Sequence, residues 1–139
     1  MTTLPQRVVC LSAESADWLW RIGAWDQVVG VTAYFDQPEK VDPKPRISGF
    51  SSADLVAIEQ LRPDLVVTFS DVQADLAAEL IKRGRNVLAT NQRSLNEIAD
   101  TLAMLARVVG CEDRSDQLLK EFRDRLAPIE NPAHRPRVY

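Results

Sequence analysis

Five short groups of residues could do chemistry: Ser12-Ala13-Glu14, Thr32-Ala33-Tyr34-Phe35, Gly49-Phe50, Phe69-Ser70 and Thr90-Asn91. Most of them follow a short apolar run. Between them they offer aromatic rings, a few hydroxyls and an amide, and very little charge. Such a set suits the non-covalent grip of a large, partly apolar molecule. The plainer alternative is that Tyr34, Phe35 and Phe50 only pin loops onto the sheet beneath them.

Catalytic constellations are poorly served. The chain has 1 histidine, His134, in a proline-rich stretch. A zinc or iron site needs several nitrogen, sulfur or oxygen ligands that converge, and no Ser-His-Asp set can be assembled within a sheet. The 2 cysteines, Cys10 and Cys111, form no CxxC or Cys/His cluster and read as idle thiols. GxGxxG and GxxxxGK[ST] are both absent. Glu14, Asp36 and Asp71 are acids near predicted strand ends. Asp71 invites comparison with the phosphoacceptor of a receiver domain, but Cys10-Leu11-Ser12-Ala13 lacks the acidic pair that reading needs. Asp71 is expected instead to cap the third helix.

The elements that position these groups alternate. Arg7–Leu11 reads as a first strand, and Ser12 or Ser15 starts a helix to about Ile22, apolar nearly all round and closed by Gly23. Trp25 falls in a turn and Val28–Val31 is a second strand. Residues 32–48 form a long irregular segment with Pro38, Pro43 and Pro45. A loop of that length is usually functional or disordered, and its aromatics favour the first. In Gly49–Asp71, Ser51 is expected to cap a helix with Asp54 as capping-box partner. Pro63 ends that helix, and Leu65–Phe69 is a strand buried on both faces. A third helix carries Leu76, Leu80 and Ile81 and stops at Gly84. Asn86–Ala89 is a strand, and Ser94–Glu97 is a capping box for a fourth helix that ends at Gly110. A fifth helix from about Asp113 to Leu126 bears Leu118, Leu119, Phe122 and Leu126 on one stripe. Pro128 and its successors interrupt the chain, and Arg137–Tyr139 resembles the start of another strand. The fold class is therefore α/β, an open, mainly parallel sheet flanked by helices, with all five loop groups at one edge.

A net charge of −3 over 139 residues excludes a nucleic-acid-binding surface. Hydrophobic residues make up 45%, enough for one full core. No run approaches the ~20 apolar residues of a membrane-spanning helix. MTTLPQRVV has no signal-peptide features, which predicts a soluble chain, cytoplasmic if Met1 is native.

Three blocks carry a family resemblance. RVVCLSAESADWLWRIGAWDQVVGVTAYFDQP is similar to the opening of the substrate-binding proteins of iron-siderophore, haem and vitamin B12 importers. PRISGFSSADLVAIEQLRPDLVVT resembles the same family's P-R-V-G-G-[YF]-S…L…I…L-K-P-D-L-V block, and NVLATNQRSLNEIADTLAMLARVVG follows in order. The resemblance spans residues 7–126 and is nearest to the vitamin B12-binding branch. It implies one lobe of a two-lobe, helical-backbone binding protein. Residues 1–110 would be the N-terminal ligand-binding lobe and 111–128 the inter-lobe backbone helix. Residues 129–139 would be a linker and the first strand of a second lobe.

The resemblance also implies no catalytic residues and no covalent cofactor. Cobalamin, a ferric siderophore or haem would be the transported ligand, a membrane permease the partner, and the setting periplasmic or extracytoplasmic. Ligand contacts fall to Ser12, Ala13, Glu14, Tyr34, Phe35, Gly49, Phe50, Ser70 and Asn91. The family's permease contact, an acid early in the helix after the G-[YF]-S loop, falls in register on Val56. Asp54 and Glu59 are the nearby acids, and Glu59 is the better placed. A cytoplasmic corrinoid accessory protein or enzyme on the same fold is the rival expectation.

Overall fold

Runs of β-branched residues bounded by turns build the centre of the molecule. The computed structural model describes residues 3–130 and residues 133, 136 and 137. Its strands are β1 (Val8–Cys10), β2 (Val28–Thr32), β3 (Arg46–Ser48), β4 (Leu65–Phe69) and β5 (Val87–Thr90). They form one sheet in the order β3-β2-β1-β4-β5, with every pairing parallel. The helices are α1 (Ala13–Arg21), α2 (Leu55–Leu61), α3 (Ala74–Lys82), α4 (Leu95–Val109) and α5 (Glu112–Glu130). Single 3₁₀ turns occupy Trp25–Gln27 and Asp71–Gln73.

Alternation along each strand divides the apolar residues between two cores. Val8, Cys10, Leu65 and Val67 face α1, α4 and α5, together with Trp18, Leu19, Leu105 and Leu119. Val9, Leu11 and Val66 face α2 and α3, with Ile58, Leu76 and Leu80. The stripe on α5 is only partly covered: Leu119 is buried, whereas Leu118, Phe122 and Leu126 are half-buried. Gly30 lets α2 approach the sheet, since a Cβ there would lie 2.8 Å from the Leu61 Cδ1. Gly110 ends α4 in the left-handed region at φ 77°, which suits glycine. Among the described residues no helix is long and apolar enough to cross a membrane.

Several expectations are corrected. Residues 46–48, expected to be irregular, form edge strand β3. Ser51 does not cap α2. The chain first folds back on β3, with Asp54 N–H donating to the Ile47 carbonyl at 2.8 Å and Ser48 bridging Ala53. Only then can a helix start, and Asp54 caps it by accepting from Ala57 N–H at 2.9 Å. Asp71 is likewise not the cap of α3, because Ser70 caps the intervening 3₁₀ turn. Helix α5 continues through Pro128 to Glu130, although the proline removes one backbone N–H from its last turn. His134 and most of the expected final strand, Val138 and Tyr139, lie outside the described residues.

Candidate functional site

The sheet order reverses at β1, so the carboxyl ends of β1 and β4 open a crevice of the kind where α/β sheets hold ligands. A groove of about 220 Å³ lies there. Leu11 to Glu14 line it after β1, Thr32 and Tyr34 at β2, Phe50 after β3, and Phe69, Val72 and Gln73 at β4. The order of these residues in space follows from the parallel sheet, which sends every β-to-α connection out of the same edge.

Local capping fixes each wall. Ser12 Oγ accepts from Ser15 N–H at 3.3 Å and starts α1, which brings Ala13 and Glu14 to the rim. Thr32 Oγ1 reaches the Ser48 carbonyl at 3.4 Å and accepts from Tyr34 N–H at 3.4 Å, which tethers the loop that carries Tyr34. Gln73 joins three strand ends from below. Its Nε2 donates to the carbonyls of Leu11 and Phe50, each at 2.9 Å, and its Oε1 accepts from Phe69 N–H at 2.8 Å. An amide has the donors and acceptor for such a junction, where a carboxylate could not donate.

The rim is unusually apolar for exposed surface. Tyr34 is 66% exposed and Phe50 63%. Their rings meet edge to face, 6.4 Å between centroids at 84°. Val72 continues the patch. Exposed apolar side chains gathered in one place make this rim a candidate interaction site. A larger hollow of about 510 Å³ lies elsewhere, by Ile22 and Gly110–Arg114, but it is an open notch of mixed polarity with no aromatic wall.

Of the residues expected to contact ligand, Ser12, Ala13, Glu14, Tyr34 and Phe50 line one groove. Phe35 does not. It is 5% exposed and packs on Trp25 with ring centroids 5.9 Å apart. Gly49 shapes the turn behind Phe50, its N–H bonded to the Ser52 carbonyl at 2.8 Å. Ser70 sits at φ 56°, ψ −177°, a strained conformation for a residue with a side chain, and turns the chain out of β4. Asn91 is exposed and outside the lining. Leu11, Val72 and Gln73 were not expected at the site, and Thr32 and Phe69 stood among the five loop groups without being assigned a ligand contact. Gln73 carried no sequence signal that set it apart from a surface amide, because the carbonyls it holds lie 62 and 23 residues away in the chain.

Charge at this edge is sparse and mostly paired. Arg93 Nη2 bonds Asp71 Oδ1 at 3.0 Å and ties the exits of β5 and β4. That guanidinium, with a smaller contribution from the Ser70 hydroxyl, holds the Asp71 carboxyl below its ordinary range. The Cys10 thiol is pushed up to about 12 by burial, which leaves it unreactive. Among the described residues no three His, Cys, Asp or Glu side chains converge as a metal site.

On the outer face, α2 presents Asp54, exposed and engaged as the cap, and Val56, 64% exposed. Glu59 is half-buried and paired with Arg85 at 3.1 Å.

An open parallel sheet of this order, with a crevice at its carboxyl edge, is an architecture shared by many ligand-binding α/β proteins. The chain belongs to the periplasmic binding protein family, whose model matches residues 8–135. It is 28% identical over 133 residues to an ABC transporter substrate-binding lipoprotein of Bacillus subtilis, covering 93% of this chain and 42% of that protein. It is 29% identical over 143 aligned positions to a cobalamin-binding protein of Halobacterium salinarum, covering 97% of this chain and 39% of that one. In structure it resembles a possible iron-binding periplasmic solute-binding protein of Staphylococcus epidermidis. The TM-score there is 0.80 at 19% identity, over 97% of this chain and 55% of that one. The chain thus spans less than half the length of the curated relatives it matches.

Proposed function

We propose that this chain is the N-terminal ligand-binding lobe of an ABC importer's solute-binding protein and that its groove holds a corrinoid. The observation that carries the reading is the exposed edge-to-face pair Tyr34–Phe50 over an apolar groove with one acid in its lining. A flat, partly apolar macrocycle gains most from such walls. The cobalamin-binding relative supports a corrinoid ahead of haem or a ferric siderophore. In this reading α5 is the backbone helix towards a second lobe, and its half-buried stripe of Leu118, Phe122 and Leu126 supports that. The protein works outside the cytoplasmic membrane, as the lipoprotein relative suggests. An ABC permease is its partner, docked on the outer face of α2 through Asp54 or Glu59. Glu59 must then exchange its Arg85 partner, whereas Asp54 is already exposed.

Calorimetric titration of the full-length gene product with cyanocobalamin, haem and a ferric siderophore tests the reading. Heat of binding with cyanocobalamin, at higher affinity than with the other two, is expected. No heat with any of the three contradicts the importer assignment.

A further inference from the structure

The groove's single charge has an uncommon partner. Glu14 stands in the first turn of α1 and, among the described residues, is the one acidic or basic side chain of the lining. Among the described residues it forms no salt bridge. It is held instead by a neutral amide: Gln92 Nε2 donates to Glu14 Oε2 at 2.6 Å. Gln92 leaves the end of β5 and is 8% exposed, and its Oε1 is buried with no partner among the described residues. Gln92 therefore has its place on account of what its N–H donors do. Between the two residues and Ser12, Ser15, Thr90 and Thr101 the crevice measures about 10 Å³, too small for any ligand group. Glu14 also lines the larger groove, which has room for a ligand group.

An arginine or lysine in place of Gln92 would orient Glu14 as well but would cancel its charge. An amide orients the carboxylate and leaves it negative. One of its oxygens is occupied and the other has no protein donor among the described residues. An ionised carboxylate only accepts hydrogen bonds. A ligand group that meets Glu14 must therefore donate a hydrogen bond from an N–H or O–H. A second anion in the same half-desolvated groove is repelled, because charges interact more strongly there than in water.

We propose that Glu14, pinned by Gln92, is the specificity-determining residue of this groove, selecting a macrocycle whose rim carries amide N–H donors and rejecting one that carries carboxylates. Glu14 touches the ligand, and Gln92 is a positioning residue that acts through it. The inference rests on the corrinoid reading above and sharpens it, since corrinoids exist with either side-chain chemistry on the same ring.

The test uses the full-length gene product and two probes, dicyanocobinamide with amide side chains and dicyanocobyrinic acid with carboxylates. The wild type is expected to bind the amide form at least about tenfold more tightly, the scale of one charge-assisted hydrogen bond. Glu14→Gln keeps the size but can both donate and accept. It should bring the two affinities within about threefold, mainly by admitting the acid, with thermal stability unchanged. Gln92→Met keeps volume but loses the donor and should reduce the preference in part. Glu14→Asp, which keeps the charge at shorter reach, should retain more of the preference than Glu14→Gln. If both probes bind and their ratio is the same in wild type and Glu14→Gln, this assignment is wrong and the corrinoid reading stands. A wild type that prefers the acid overturns it too. Failure of both probes to bind overturns the assignment together with the corrinoid reading.

Discussion

Tyr34 and Phe35 are neighbours on one loop and have opposite fates. Phe35 turns inward onto Trp25, whose Nε1 donates to the Asp42 carbonyl at 3.1 Å and whose ring carries the Lys44 ammonium at 5.5 Å. Gln37 closes the same loop with two bonds to the backbone of Lys44. Tyr34 is turned outward, against Phe50. The inner pair supplies order to a long connection without regular structure, and the outer pair is free for a ligand. Preorganisation of this kind matters because ordering a loop at the moment of binding costs affinity.

The comparison breaks most sharply at Phe35. Truncation to alanine opens a cavity against Trp25 and should cost about 3–5 kcal/mol in chemical denaturation, as for other buried aromatics. A cost below about 1 kcal/mol would mean that the loop is not held from inside. The outer pair should behave in reverse. Tyr34→Ala and Phe50→Ala should each leave stability within about 0.5 kcal/mol, as surface changes do. Each should nonetheless weaken ligand binding by about 1–3 kcal/mol if its ring is buried on binding.

Smaller effects are expected at α2 and at the turn out of β4. Asp54→Ala removes an N-cap and should cost about 0.5–2 kcal/mol in denaturation. Glu59→Ala breaks the pair with Arg85. If α2 docks a permease, surface plasmon resonance should show slower, less salt-dependent association for one or both variants. Unchanged rates in both would remove α2 from the docking surface. Ser70→Gly relieves a conformation that side chains rarely adopt and should raise stability by up to about 1 kcal/mol.

The smallest effect is electrostatic. Asp71 is depressed chiefly by Arg93, so its stabilising contribution is present above the ordinary carboxylate pKa and is lost as pH falls through the depressed value. In Arg93→Ala the Asp71 resonance should titrate nearer the ordinary range. Glu97 is held down chiefly by the Arg93 backbone N–H, which the variant keeps, and should remain low. Equal movement of both would show that the guanidinium is not the cause at Asp71.

The sequence and the structure agree where local and global signals coincide. Leu65–Phe69 is a continuous apolar run and forms a buried central strand. Ser94 caps α4 through Glu97 N–H at 3.2 Å, and Gly110 ends it. Edge strand β3 was illegible because Arg46-Ile47-Ser48 is short, mostly polar and preceded by proline. The Ser51 cap failed because a serine before a helix signals a start only if the chain is not first diverted, here back along β3. The contrast between Tyr34 and Phe35 has no sequence signal, since an irregular loop has no period to assign faces. Gln73 and Gln92 look like ordinary surface amides. Their partners Leu11 and Glu14 lie 62 and 78 residues away, so only the folded sheet reveals what they hold.

The central claim is that ligand binding belongs to the outer pair and loop order to the inner one. Calorimetric titration of cyanocobalamin into three full-length proteins tests it: wild type, the Tyr34→Ala/Phe50→Ala double variant, and Phe35→Leu, which keeps an apolar side chain in the core. The account predicts an affinity at least about tenfold lower in the double variant and little change in Phe35→Leu once its folding is verified. Undiminished affinity in the double variant, or a greater loss in Phe35→Leu, would contradict it.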